Sequence, residues 1–144
     1  MAPPFDAVGN LPPGTHALAV DEVFASFGTG SPRREWLAAR LKALLDLARE
    51  SGLVRRVYLW GSFVTAKASP NDLDVLLVLA AGLQDQDLAG PIRTLLDHQR
   101  ARLRFHADVF WVPEEVGDNI VNNLLDTYMV DREKRRRGIV EVRL

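Results

Sequence analysis

Asp72 and Asp74 bracket Leu73 where the chain enters its most apolar run, "DLDVLLVLAA". Carboxylates at such a threshold are costly to desolvate, so a compensating cation is expected beside them. In a strand, residues i and i+2 share a face, which points both carboxylates one way while Leu73 and Val75 enter the other side. Paired acids so placed suit a hard divalent cation such as Mg2+, which takes one or two carboxylates and fills its remaining positions with water and phosphate oxygens. The plainer alternative is a surface turn at Asn71 and Asp72, with Asp74 a satisfied acid at a strand edge.

A third acid, Asp108, lies inside the otherwise apolar segment "FHADVFWV". On a strand neighbouring the first it would complete a metal site; otherwise it is a structural acid paired with an arginine such as Arg104. His106 reads as a polar residue at a strand edge rather than a base. Upstream, "WGSF" ends another apolar segment. Gly61 lets backbone approach a ligand closely, and Ser62 either caps a short following helix or offers its hydroxyl and amide to a phosphate.

Together, Gly61-Ser62 followed after Phe63 to Asn71 by Asp72-Leu73-Asp74-Val75 resembles the signature of the nucleotidyltransferase superfamily, of DNA polymerase beta-like fold and in particular its minimal type. The opening "FDAVGNLPPGTHALAVDEVFASFGTGSPRRE" and "RRRGIVEV" near the end resemble a subgroup of short bacterial proteins of unknown function in that superfamily. The resemblance implies a mixed β-sheet packed against helices. It also implies Mg2+-dependent transfer of a nucleoside monophosphate from ATP or another nucleoside triphosphate to a protein, RNA or small-molecule acceptor. By position, Asp72, Asp74 and Asp108 would be the catalytic metal ligands, and Gly61 and Ser62 would hold the triphosphate. Minimal transferases commonly carry an arginine soon after the Gly-Ser turn, whereas here Lys67 is the first cation and would serve as a point charge. The competing expectation is a catalytically inactive module of the same fold that binds a protein partner, as in a toxin-antitoxin or phage-defence pair.

These residues need elements to hold them. Ser31 and Pro32 form an N-cap and first helical position, and Trp36, Leu37, Leu41, Leu44, Leu45 and Ala48 recur at helical spacing to about Ser51, where Gly52 stops the helix. Arg55 to Trp60 reads as a strand, and "LDVLLVL", apolar on both faces, as a central strand covered on both sides. The stretch "QDQDLAGPIRTLLDHQRARL" predicts one helix burying Leu88, Ile92, Leu95, Leu96 and Leu103, with Asp85 and Asp87 favouring its N-terminus. "RFHADVFWV" predicts a third strand, "EVGDNIVNNLLDTYM" a third long helix, and "GIVEVRL" a closing edge strand. Residues 1–31, rich in proline and glycine, read as an N-terminal arm carrying a short helix from about Asp21 to Phe27, and 32–144 as the nucleotidyltransferase-like part of one single domain. Trp60, Phe105, Phe110 and Trp111 read chiefly as core aromatics, with one of them free to stack on a base. The basic run "REKRRRG" reads as a solvated turn, or as an attractor of a triphosphate or RNA end if it folds near the acids.

Composition bounds the rest. The chain has 144 residues, 47% hydrophobic and 26% charged, enough for one ordinary core. With 18 basic and 19 acidic residues its net charge is -1, so nucleic acid would have to be met by a local patch. No cysteine is present, which excludes thiol catalysis and thiolate metal sites. The N-terminus "MAPPFDAVGN" has no secretory pattern, and Val75 to Ala81 is far short of the roughly 20 apolar residues that span a membrane. The expectation is a cytoplasmic protein with no membrane partner.

Overall fold

In the computed structural model, which describes all 144 residues, the chain runs β1 (Thr15–Ala19), α1 (Val20–Phe27), α2 (Pro32–Ser51), β2 (Val54–Trp60), β3 (Leu73–Leu79), α3 (Asp85–Leu88), α4 (Arg93–Leu96), α5 (His98–Phe105), β4 (Ala107–Pro113), α6 (Asp118–Tyr128) and β5 (Ile139–Arg143). The five strands form one mixed sheet in the order β1-β5-β2-β3-β4. β1 and β5 are parallel, as are β3 and β4, while β2 runs antiparallel to both β3 and β5. The fold is thus α+β, a mixed sheet with helices on both faces. No helix is long and apolar enough to cross a membrane.

The strand alternation sorts side chains into two cores. Val57, Leu59, Leu73, Val75, Leu77, Leu79, Val109, Val140 and Val142 meet α1, α2, α4 and α5 on one face. Tyr58, Trp60, Leu76, Val78 and Ile139 meet Val121, Leu125 and Met129 of or beside α6 on the other. This is why β3 reads as apolar at nearly every position: it sits inside the sheet with both faces covered. Asp74 is the exception within it, pointing to the α6 face at the end where α6 stops.

α2 starts and ends as its sequence predicts. The Ser31 side chain accepts the Arg34 backbone N–H, Pro32 occupies the first turn, and Gly52 closes the helix with φ 68° in the left-handed region. Trp36, expected on the buried side with Leu37 and Leu41, is instead 38% exposed. Its ring is covered by the guanidinium groups of Arg33 and Arg40.

Several expected boundaries move. The single helix over 84–103 is three short ones, because Gly90 and Pro91 interrupt the first and Asp97 accepts from the Arg100 N–H to start a new helix. Ile92 and Leu95 are buried as expected, but Leu103 is 88% exposed. The third strand begins at Ala107 rather than Arg104, since α5 runs through Phe105 and His106 ends it in the left-handed conformation. The closing strand β5 is not an edge: residues 15–19 within the N-terminal segment pair alongside it and become the edge instead. Residues 1–31 therefore supply both β1 and α1 to the common sheet and core.

Candidate metal and phosphate site

Asp74 and Asp108 stand abreast in the parallel β3–β4 register, on the same face. Asp72 lies just before β3, and the three carboxylates bring ligand oxygens within 4.8 Å of one another. Oxygen ligands on opposite sides of one Mg2+ are about 4.2 Å apart. Neighbouring ligands at right angles are about 3.0 Å apart, so sharing one ion would draw the carboxylates closer together, and their all-oxygen, partly solvated character fits a hard cation.

All three acids are half-buried, and the carboxyl of Asp74 lies against Gly61. Burial, then the neighbouring charges of Asp72 and Asp108, push its carboxyl up from 3.8 to about 7, while Arg137 and Arg102 pull the other way. It packs on Gly61, which follows β2. Gly61 has φ 80° and ψ -165°, a combination nearly confined to glycine, and an added Cβ would lie 2.2 Å from the Asp74 Oδ2. The glycine is there because the backbone must pass under a carboxylate. Ser62 opens a 3-10 turn over Ser62–Val64, and its hydroxyl oxygen accepts the Asn71 N–H at 3.3 Å. Gly61, Ser62, Lys67, Asn71, Asp72 and Asp74 line one open hollow of about 300 Å3, so five of the six sequence-derived site residues meet there. The sixth, Asp108, joins them through the carboxylate cluster.

The loop between the Gly-Ser turn and the acids is held from behind by α2. Arg34, 6% exposed, donates from Nη1 to the Phe27 and Phe63 carbonyls at 3.0 and 2.7 Å, and from Nη2 to the carbonyls of Lys67, at 2.6 Å, and Thr65. Burial lowers its pKa, as expected for a charge compensated only by dipoles. Arg33 donates to the Pro70 carbonyl at 3.0 Å, to the Asn71 carbonyl, and to His106 Nε2 at 3.2 Å. It therefore ties the approach to Asp72 to the approach to Asp108. His106 accepts in that contact and caps α5, rather than standing at the strand edge that its sequence context suggests.

Of three cations near the acids, sequence reasoning misses Arg102 and offers Arg132 and Arg137 only as part of a basic run. Arg102 of α5 bridges Asp72 at 3.0 Å and Asp108 at 3.4 Å, and the Asp72 hydrogen bond raises its already high pKa. It is Arg102, not Arg104, that pairs with Asp108. Arg132 and Arg137 enter from the opposite side, because the basic run after α6 folds back over the hollow together with Asp131 and Glu133. The run of like charge is visible in the sequence, but only the return from α6 to β5 brings it to the acids. Beyond Asp108 on the same face, Phe110 is 44% exposed and Trp111, on the reverse face of this edge strand, 38%, whereas Trp60 and Phe105 are buried. Trp60 stacks on Tyr128 at 3.9 Å, and His98 lies 3.7 Å from Asp108. A larger hollow of about 690 Å3 between α1 and α2, lined by Phe24, Lys42, Leu45 and Arg49 among others, lies apart from the acids.

Set on a mixed sheet, this rim of three acids facing cations defines a class of α+β protein with a candidate cation and anion site. More particularly, the chain belongs to a family of unknown function (DUF6932), whose profile matches residues 3–143. No curated protein and no solved structure matches it.

Proposed function

We propose that this chain is a Mg2+-dependent nucleotidyltransferase that moves a nucleoside monophosphate from ATP or another nucleoside triphosphate to an acceptor hydroxyl on a protein, an RNA or a small molecule. The observation that carries this reading is the abreast pair Asp74 and Asp108 with Asp72, their oxygens within 4.8 Å, beside a Gly61-Ser62 turn. The resemblance of that turn and acid spacing to the nucleotidyltransferase superfamily supports it. Asp72 and Asp74 would hold the cation that the triphosphate chelates, and Asp108 would serve the acceptor side. When bound, Mg2+ supplies neutralisation of charge developing on the transferred phosphoryl group. The acceptor oxygen forms a bond to the α-phosphorus, the α–β bridging P–O bond breaks, pyrophosphate leaves, and the hydroxyl proton departs through a triad carboxylate. Gly61 and Ser62 would lie against the triphosphate, with Lys67 as a mobile positive charge.

A second reading has its own observation. Arg102 already engages Asp72 and Asp108, as a cation built into the protein would in an inactive module that binds a protein partner. The test is incubation of the purified chain with each α-labelled nucleoside triphosphate, Mg2+ and candidate acceptors. Transfer that is lost in Asp72→Asn and Asp74→Asn supports the enzyme. Absence of transfer, with Mg2+ affinity appearing only after Arg102→Ala, supports the inactive module.

A further inference from the structure

We infer that Arg137 is the phosphate-binding arginine of this site, supplied by the basic turn before β5 in place of one following the Gly-Ser turn. This rests on the nucleotide reading above and narrows the basic run Arg132 to Gly138, which the sequence offers only as a whole, to one residue.

Arg137 is half-buried, and its Nε is enclosed with no hydrogen-bond partner. An enclosed guanidinium N–H without an acceptor is costly, while the two Nη groups, neither enclosed nor hydrogen-bonded, are left to meet an anion. Arg137 forms none of the molecule's ion pairs, although its neighbours do: Arg135 engages both Asp131 and Glu133, and Arg136 lies 3.8 Å from Asp126. The rim carboxylates closest in sequence are thus already occupied.

Its backbone is fixed on both sides. The Arg137 N–H donates to the Met129 carbonyl at 2.7 Å and the Gly138 N–H to the Leu11 carbonyl at 2.9 Å, while Val130 and Arg136 form a β-bridge. The side chain is consequently presented by a braced segment rather than by a loose tail. It borders the hollow containing Gly61, Ser62, Lys67 and the acids, and also the adjoining one formed by Gly9, Asn10, Ser62 and Thr65. Arg102 stands on the other flank of the acids, bonded to two of them. Arg137 and Lys67 thus line the same hollow as Asp72 and Asp74 without forming an ion pair, Arg137 close enough to Asp74 to lower its pKa. A polyphosphate chelated to a cation on the acids would have further oxygens within the same hollow, where a planar guanidinium can bind two at once.

The test is calorimetric titration of the full chain with inorganic tripolyphosphate, which has neither base nor sugar, in one arm with Mg2+ and in another with EDTA. Wild type, Arg137→Gln, Arg137→Lys and Arg136→Gln are compared after circular dichroism shows that each is folded. In the Mg2+ arm, Arg137→Gln should weaken binding about 10-fold or more. Arg137→Lys should fall between, having charge without the fork, and Arg136→Gln should match wild type. Equal affinity of wild type and Arg137→Gln, an equal loss in Arg136→Gln, or no binding by wild type would overturn the assignment. The two readings fail differently. Tripolyphosphate binding that depends on Arg137 but is the same in Mg2+ and EDTA would leave this anion site standing and remove the metal from the nucleotide reading. Mg2+-enhanced binding indifferent to Arg137 would do the reverse.

Discussion

Gly61 and Asp74 depend on each other sterically and electrostatically. Gly61→Ala forces a side chain into a backbone conformation that disfavours it and against the Asp74 carboxylate. It should cost about 1–3 kcal/mol in urea unfolding and weaken Mg2+ binding measured by calorimetry. Asp74 itself has a folded-state pKa of about 7 against an ordinary 3.8. The folded chain therefore holds this proton more tightly than the unfolded chain does. Stability from this group is highest below about pH 4 and falls as pH rises through the window to about 7, by roughly 2–4 kcal/mol in all. In EDTA, Asp74→Asn should flatten that part of the urea stability profile, and at pH 7 its melting temperature should equal or exceed wild type. A clear drop in the variant at pH 7 would show instead that the ionised carboxylate is a structural partner.

At the scale of elements, the first turn of α2 is the organiser of the site. Arg34→Met would leave four backbone carbonyls without their shared donor. The loss should be on the order of 3–5 kcal/mol, with amide exchange accelerating first over residues 63–67. Arg33→Met should cost less stability but loosen Asp72 relative to Asp108, lowering Mg2+ affinity more than melting temperature. None of this was legible in "SPRREW", where two consecutive arginines at a helix start look like surface charge. What was legible had local causes. The cap at Ser31 and Pro32, the doubly apolar β3 and the i, i+2 acids each follow from spacing within one segment. Asp108 is partly so, as an acid in an apolar strand, but its standing abreast of Asp74 needs the parallel β3–β4 pairing. The break at Gly90 and Pro91 was written in the sequence and lost beneath the leucine spacing around it. Arg102, the selection of Arg137 from its basic run, and the interior position of β5 were hidden for one reason, since each is defined by contacts with segments distant in the chain.

Taken whole, the molecule has almost no net charge yet concentrates opposite charges within one hollow. A ligand carrying both signs, such as a nucleoside triphosphate with Mg2+, should therefore raise the melting temperature where neither component alone does so strongly. The rise should disappear in Asp72→Asn and Asp74→Asn, shrink in Lys67→Ala, and reverse on adding EDTA. Differential scanning fluorimetry checks this directly. The sheet order carries a different consequence, for synthesis. β5 is made after β1 to β4, yet it lies between β1 and β2. While a ribosome is still producing the preceding turn, β1 has no neighbour to pair with and β2 has one open side. The hairpin-like β2–β3 pair with β4 can assemble early, but the sheet closes only when the final strand slides into a waiting gap. With the chain tethered to its ribosome through an appended C-terminal linker longer than the exit tunnel, the pulling force should accordingly appear late, in one step, once Arg143 has emerged.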